Sequence, residues 1–254
     1  MRSERILRRV AFLVGLVVVW AAVSALGPWP SHLFPGPVAV TESLVAMARD
    51  GRLLHAVLTS LGRLGRGYGI SVLVGIPLGV ALARIPLMRT LLRPLVVGLQ
   101  ALPSICWLPL ALLWFGLSDT AIVFVVVMGS VLAIAIATED AVLGIDPILL
   151  RAAATFGIKG LRHAGGVLLP AAMPGVVTAL KLGWSFAWRA LLAGEMLFVS
   201  GGLGQLLQVG RELMDIPQVV GVMIAIILIG VLIDRVLFRT VEFRVRRRWG
   251  VAMA

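Results

Sequence analysis

The sequence predicts an all-α polytopic membrane protein with about six transmembrane helices, and three observations carry that reading. Of 254 residues, 60% are hydrophobic and only 14% are charged, against about a quarter charged in a typical soluble domain. The mean hydropathy is +1.04. Apolar stretches free of charge recur at lengths that cross a bilayer. A soluble globule of this size has no way to bury so much apolar surface, so lipid must serve as solvent. The same arithmetic excludes a disordered chain.

A span needs about 20 residues, because roughly 30 Å of hydrocarbon is covered at about 1.5 Å per residue. Val10–Leu26 is the first candidate, and residues 67–83 are the second, extended backward through the weakly polar segment after His55. Residues 94–118, 120–138 and 168–198 are the third, fourth and fifth, and Ile216–Ile233 the sixth. The fifth carries Lys181, Arg189 and Glu195. Lys181 lies near enough to one end to snorkel to the headgroups. Arg189, taken within a span of 175–197, lies about 21 Å in and must face the bundle interior or a pathway. Glu195 lies about 120° around the helix from Arg189, so an intrahelical pair is poor. Either Arg189 packs against carbonyls or a carboxylate of another helix, or it offers positive charge to a passing anion.

The positive-inside rule orients the chain. With both termini cytoplasmic, 16 of the 23 Lys and Arg residues lie inside. They are Arg2, Arg5, Arg8 and Arg9; Arg84, Arg89 and Arg93; Arg151, Lys159 and Arg162; and Arg235, Arg239, Arg244, Arg246, Arg247 and Arg248. Arg49, Arg52, Arg63, Arg66 and Arg211 lie outside. The net charge of +11 is therefore a topology signal and not the mark of a nucleic-acid partner. A basic start, an apolar run and Val23-Ser24-Ala25 also look somewhat like a secretory signal. Cleavage there would leave five spans and the same carboxyl-terminal orientation. The chain reads as a single transmembrane domain over 1–254, with a first span and external segment (1–52), a core (53–238) and a cytoplasmic basic tail (239–254).

Between the first two spans, Gly27-Pro28-Trp29-Pro30 and Phe34-Pro35-Gly36-Pro37 predict an irregular external segment. From Thr41 onward it is either a short interfacial helix or a plain connector. Pro77, Pro103 and Pro109 interrupt the second and third spans, which lipid tolerates where neighbours or a water-lined path satisfy the freed carbonyls. Gly75 and Gly79 form a small-xxx-small pair that permits close helix contact. Asp146-Pro147 predicts a helix start. Residues 148–156, with Ala152, Ala153 and Ala154, continue that helix, and Gly157 supplies its stop. This short cytoplasmic helix is either a surface connector or an element small enough to enter a partner's groove.

The stretch 151–170 resembles the EAA motif of bacterial ABC-importer permeases. Arg151-Ala152-Ala153 stands for Glu-Ala-Ala, Gly157 follows four positions after the second Ala, and Val167-Leu168-Leu169-Pro170 stands for Ile-x-Leu-Pro. Arg151 in place of Glu reverses a charge. The likeness covers about residues 53–235. Leu102-Pro103-Ser104, the run 107–119, Trp184 through Trp188-Arg189, and Ala193-Gly194-Glu195-Met196 are similar to the nitrate/sulfonate/taurine/bicarbonate branch.

The resemblance implies a type I importer permease fold in the bacterial inner membrane. It implies two permease copies, homodimeric here, that form the pathway, and a coupling helix that docks in a cleft of an ATPase subunit. Arg151, Ala152, Ala153, Gly157, Lys159 and Pro170 are its coupling candidates. An extracytoplasmic binding protein would deliver the solute, with an aliphatic sulfonate or taurine leading nitrate, bicarbonate and heterocycle precursors. Arg189, Trp188, Ser185, Glu195, Pro103 and Ser104 are the pathway candidates. No GxxxxGK[ST] occurs, so ATP phosphates find no P-loop on this chain. Gly202-Leu203-Gly204 lacks the third glycine of a dinucleotide fingerprint. His32, His55 and His163 fall in different loops, and Cys106 is the single cysteine, so neither a metal site, a cofactor nor an intrachain disulfide is predicted. A stand-alone transporter would favour inverted repeats, and none is seen. A membrane-embedded enzyme would need paired nucleophile and base or metal-ligand spacing, and that is absent too.

Overall fold

The computed structural model describes residues 2–30, 32–156, 164–198 and 200–248, and all regular structure among them is helical. The elements are α1 (Arg2–Leu26), α2 (Pro37–Arg49), α3 (Arg52–Arg84), α4 (Pro86–Gln100), α5 (Leu108–Phe115), α6 (Asp119–Leu143), α7 (Pro147–Thr155), α8 (Leu169–Glu195), α9 (Leu203–Glu212), α10 (Ile216–Ile233) and α11 (Arg239–Arg248). A 3₁₀ turn at Ser104–Trp107 leads into α5, and π turns at Ala164–Leu168 and Asp234–Phe238 precede α8 and α11. Prolines open the first turns of α2, α4, α5 and α8, where the missing N–H is no loss. Ser118 caps α6, its hydroxyl accepting from the Ala121 N–H at 3.3 Å. Gly116, at φ 64°, ends α5 in a conformation closed to most side chains.

Four helices are long and apolar enough to cross a membrane: Arg52–Arg84, Asp119–Leu143, Gly166–Glu195 and Ile216–Val245. The third predicted span differs from expectation. It is two helical pieces bent by 101° at residues 101–103, because Pro103 lacks a donor and keeps Leu102 out of the α region. The second span starts at Arg52 and the last continues past Ile233, so Arg63 and Arg66, read as loop charges, lie inside α3. The first candidate, Val10–Leu26, remains a shorter apolar segment within α1. The segment from Pro37 is a helix and not a plain connector.

The chain divides into two compact units. The first holds residues 1–59 and 201–228. In it the Trp20 indole donates to the Pro35 carbonyl at 3.0 Å, Asp215 caps α10 by accepting from the Gln218 N–H at 3.0 Å, and Gln218 donates to the Leu206 carbonyl at 2.9 Å.

The second unit holds residues 60–200 and 229–254, and α6 is its axis. Along α3, Gly67, Ser71, Gly75 and Gly79 repeat at four-residue spacing and meet Val126, Ser130, Ile134 and Thr138 of α6. The constant offset makes the two helices parallel. A Cβ at Gly75 would stand 2.9 Å from Ile134, and one at Gly79 would run into the Ala135 carbonyl. Small residues thus let the backbones approach closely. On the other side, Gly194, Ala190, Gly183 and Gly175 of α8 meet Ile122, Gly129, Ile134 and Ala141 in reverse order, so α8 is antiparallel to α6.

Candidate functional site

The elbow between α4 and α5 is the starting point. The chain leaves helical geometry after Ala101, and a hydrogen bond from the Cys106 N–H to the Pro103 carbonyl at 2.9 Å closes the 3₁₀ turn that leads into α5. Gly129 of α6 admits this elbow, because a Cβ there would lie 3.2 Å from that of Ser104 and 2.7 Å from that of Ala190. A cavity of about 290 Å³ remains between the elbow, α6 and α8. Its polar lining groups are Gln100, Ser104 and Arg189, and its apolar walls include Leu99, Met128 and Phe186.

Arg189 is exposed. Its Nε donates to the Ser185 carbonyl one turn back at 3.1 Å, and its guanidinium lies 4.7 Å over the Phe186 ring, a cation–π contact. The Nη groups have no protein partner among the described residues. Since α8 ends at Glu195, Arg189 lies only about 9 Å from that end, nearer than a span ending at 197 would put it. A second cavity, of about 660 Å³, lies on the other side of the same side chain and is lined by Trp184, Ser185, Trp188, Asp234 and Arg235. The structure therefore brings Arg189 together with Pro103 and Ser104 on one side and with Ser185 and Trp188 on the other.

Glu195 lies apart from this group. It is fully buried and accepts from the Ser60 hydroxyl at 2.7 and 2.8 Å and from Arg63 Nη1 at 3.0 Å. Arg63 is itself only 3% exposed. Its Nε and Nη2 donate to Asp119 Oδ1 at 3.0 and 2.6 Å, and Nη2 also donates to the Ser200 carbonyl. Arg66 reaches the other Asp119 oxygen at 3.3 Å. This network ties α3, the start of α6 and the end of α8. A second buried carboxylate, Glu139 on α6, is held by Arg93 at 3.1 Å and Arg89 at 3.4 Å from α4. Lys181 is paired, its Nζ lying 3.0 Å from Asp234. Among the described residues no three His, Cys, Asp or Glu side chains come together as metal ligands.

The short helix expected after Asp146 is α7. Asp146 Oδ1 accepts the Ile148 N–H at 2.8 Å, as an N-cap should. Ala153 is buried and Leu150 packs beside Ile145, Leu168 and Val176. Arg151 and Ala152 point outward, Arg151 Nε reaching the Pro147 carbonyl at 3.4 Å. Ile148, Leu149 and Phe156 are also exposed. Pro170 opens α8. Gly157 and Lys159 lie outside the described residues.

The sequence reading missed Arg63, Asp119, Glu139, Gln100 and the Lys181–Asp234 pair. The four-residue repeat of small residues from Gly67 was available to it as a signal, and only its second half was read. The ion pairs left no such trace, since Arg63 and Glu195 are separated by most of the core.

The comparisons with known proteins agree with this architecture. The family described as "Binding-protein-dependent transport system inner membrane component" matches residues 75–249. The chain is 27% identical over 237 residues to the taurine transport system permease protein TauC of Escherichia coli, covering 91% of this chain and 86% of that one. It is 27% identical over 244 residues to the bicarbonate transport system permease protein CmpB of a Synechocystis strain, covering 92% and 87%. An inward-facing structure of the MetNI methionine ABC transporter has a chain of the same fold, with TM-score 0.64 and 24% identity over 75% of this chain and 96% of that one. The spans, the α4–α5 elbow, the capped helix α7 and the match over most of the chain lead to one conclusion: the chain belongs to the family of inner membrane components of binding-protein-dependent transport systems, as a multi-pass transport subunit and not an enzyme.

Proposed function

We propose that this chain is the pathway-forming permease subunit of an ATP-driven importer for a small solute with an anionic head group, such as an aliphatic sulfonate or taurine. It works as a homodimer with both termini cytoplasmic, receives solute from an extracytoplasmic binding protein, and relies on separate ATPase subunits for hydrolysis. The charge asymmetry of the loops supports the orientation. The capped helix α7, with Ile148, Leu149 and Phe156 exposed beside Arg151 and Ala152, supports docking of that helix in an ATPase cleft, with Gly157 and Lys159 continuing the contact. The relatives named for taurine and bicarbonate transport support an anionic solute.

One observation carries the solute reading. Arg189 turns a guanidinium with free Nη donors toward two cavities, and a cation with spare donors attracts an oxyanion. The test is uptake by the reconstituted importer carrying Arg189→Lys or Arg189→Gln. Lysine keeps much of the transport, glutamine loses it, and assembly and basal ATP hydrolysis survive in both. Normal transport by Arg189→Gln removes the anion role. The coupling role of α7 is tested separately with Asp146→Ala, which weakens its amino-terminal turn by about 1 kcal/mol. Uptake per ATP hydrolysed falls in that variant, and an unchanged ratio argues against docking.

A further inference from the structure

We infer that the cavity at the α4–α5 elbow is a subsite for an organic oxyanion that carries a short apolar body and no amine, so that the permease itself favours plain alkanesulfonates over taurine and over nitrate or bicarbonate. This rests on the permease reading above and narrows it.

Three features of the cavity select the ligand. Its cation has spare capacity: among the described residues Arg189 commits only Nε to a backbone carbonyl, and its guanidinium lies 4.7 Å over the Phe186 ring. The Nη groups are left to bond two oxygens of one head group. Ser104 and Gln100, which carry a hydroxyl and an amide, line the same cavity. Among the described residues no carboxylate lines the cavity, and the nearest acid along α8, Glu195, is fully buried against Ser60 and Arg63. An ammonium group entering with the anion thus meets no counter-charge and must shed its hydration.

The apolar walls decide between the remaining anions. Leu99, Met128 and Phe186 line the same cavity. A planar inorganic anion gains nothing from them. An alkyl tail gains about fourfold in affinity for each methylene it buries (about 0.8 kcal/mol). The cavity, at about 290 Å³, is at the small end of ligand pockets, which suits a tail of a few carbons.

Propane-1-sulfonate and taurine make the decisive pair, being similar in size and differing by a methyl in place of an ammonium. The permease with its ATPase subunits, in lipid nanodiscs and without the binding protein, is titrated with radiolabelled propane-1-sulfonate against unlabelled competitors. Propane-1-sulfonate should outcompete taurine and nitrate at least about tenfold. Affinity should rise about two- to fourfold per carbon from methane- to propane-sulfonate, in line with methylene burial. Met128→Phe, which fills part of the cavity, should flatten that series. Taurine binding as tightly as propane-1-sulfonate, a flat series in the unmodified protein, or no binding while the full importer still transports sulfonates each overturns the subsite alone. Failure of the full importer, with its binding protein, to transport any of these anions overturns the permease reading on which it rests.

Discussion

Two arginines of the same unit have opposite surroundings. Arg63 is buried, and its three nitrogens serve Glu195, Asp119 and the Ser200 carbonyl, while Ser60 also donates to Glu195. Arg189 is exposed, bonds among the described residues only to its own helix, and rests on an aromatic ring beside two cavities. A charge in a bilayer-embedded bundle is costly unless it is paired or faces water. Arg63 meets the first condition with every one of its nitrogens engaged, which makes it framework. Arg189 meets the second and keeps donors free, which suits it to a transient partner. Membrane depth alone does not tell these apart; the count of donors already used does.

The largest expected effect comes from breaking the closed set. Glu195→Ala leaves Arg63 with a lost partner inside the protein, and removing one member of a buried pair costs about 3–5 kcal/mol. Thermal unfolding of the protein in nanodiscs should show a large drop in midpoint. The double replacement Arg63→Met with Glu195→Leu should recover part of it, because no uncompensated pair remains between those two positions. An unchanged midpoint in Glu195→Ala would remove the framework role.

A smaller effect comes from the backbone contacts that hold the same helices. Gly79→Ala drives a methyl into the Ala135 carbonyl, whereas Gly62→Ala, on the same helix, meets nothing within 4 Å. Overpacking costs about 1–3 kcal/mol, while alanine in an unobstructed helix position gains about 0.5–1 kcal/mol over glycine. The two variants should therefore shift the midpoint in opposite directions. Equal shifts would mean that α3 does not pack on α6 through its glycines.

This contrast also marks what was legible from the sequence. Apolar length gives the four long spans, and Asp146-Pro147 gives the start of α7, because each signal is local. The Gly75/Gly79 pair pointed to a close contact without naming α6 as the partner. Pro103 announced a kink, but the 101° bend also needs Gly129 on another helix to make room for the elbow. Arg189 was singled out from its depth, and Ser104 from its place in a motif; their shared cavity depends on the packing of α8 against α6, which no single stretch encodes. The Arg63–Glu195 pair was hidden for the same reason: the helix geometry set Glu195 aside as a partner for Arg189 but gave no sign of Arg63.

The smallest stability effect should be at Arg189, and that is the sharpest use of the comparison. Arg189→Gln loses one hydrogen bond to its own helix and one cation–π contact. An exposed cation–π contact is worth about 0.5–1 kcal/mol, and glutamine, a good helix former, offsets little or none of it. The net loss should stay near or below about 1 kcal/mol, several times less than for Glu195→Ala. Transport should follow the reverse order relative to stability: Arg189→Gln folds and assembles but does not carry an anion, whereas Glu195→Ala fails because less of it is folded. Measuring uptake per folded complex separates the two. If Arg189→Gln unfolds as readily as Glu195→Ala, its guanidinium is packing after all. If uptake per folded complex is normal, its free donors have no role in transport, and the distinction between the two arginines is one of burial alone.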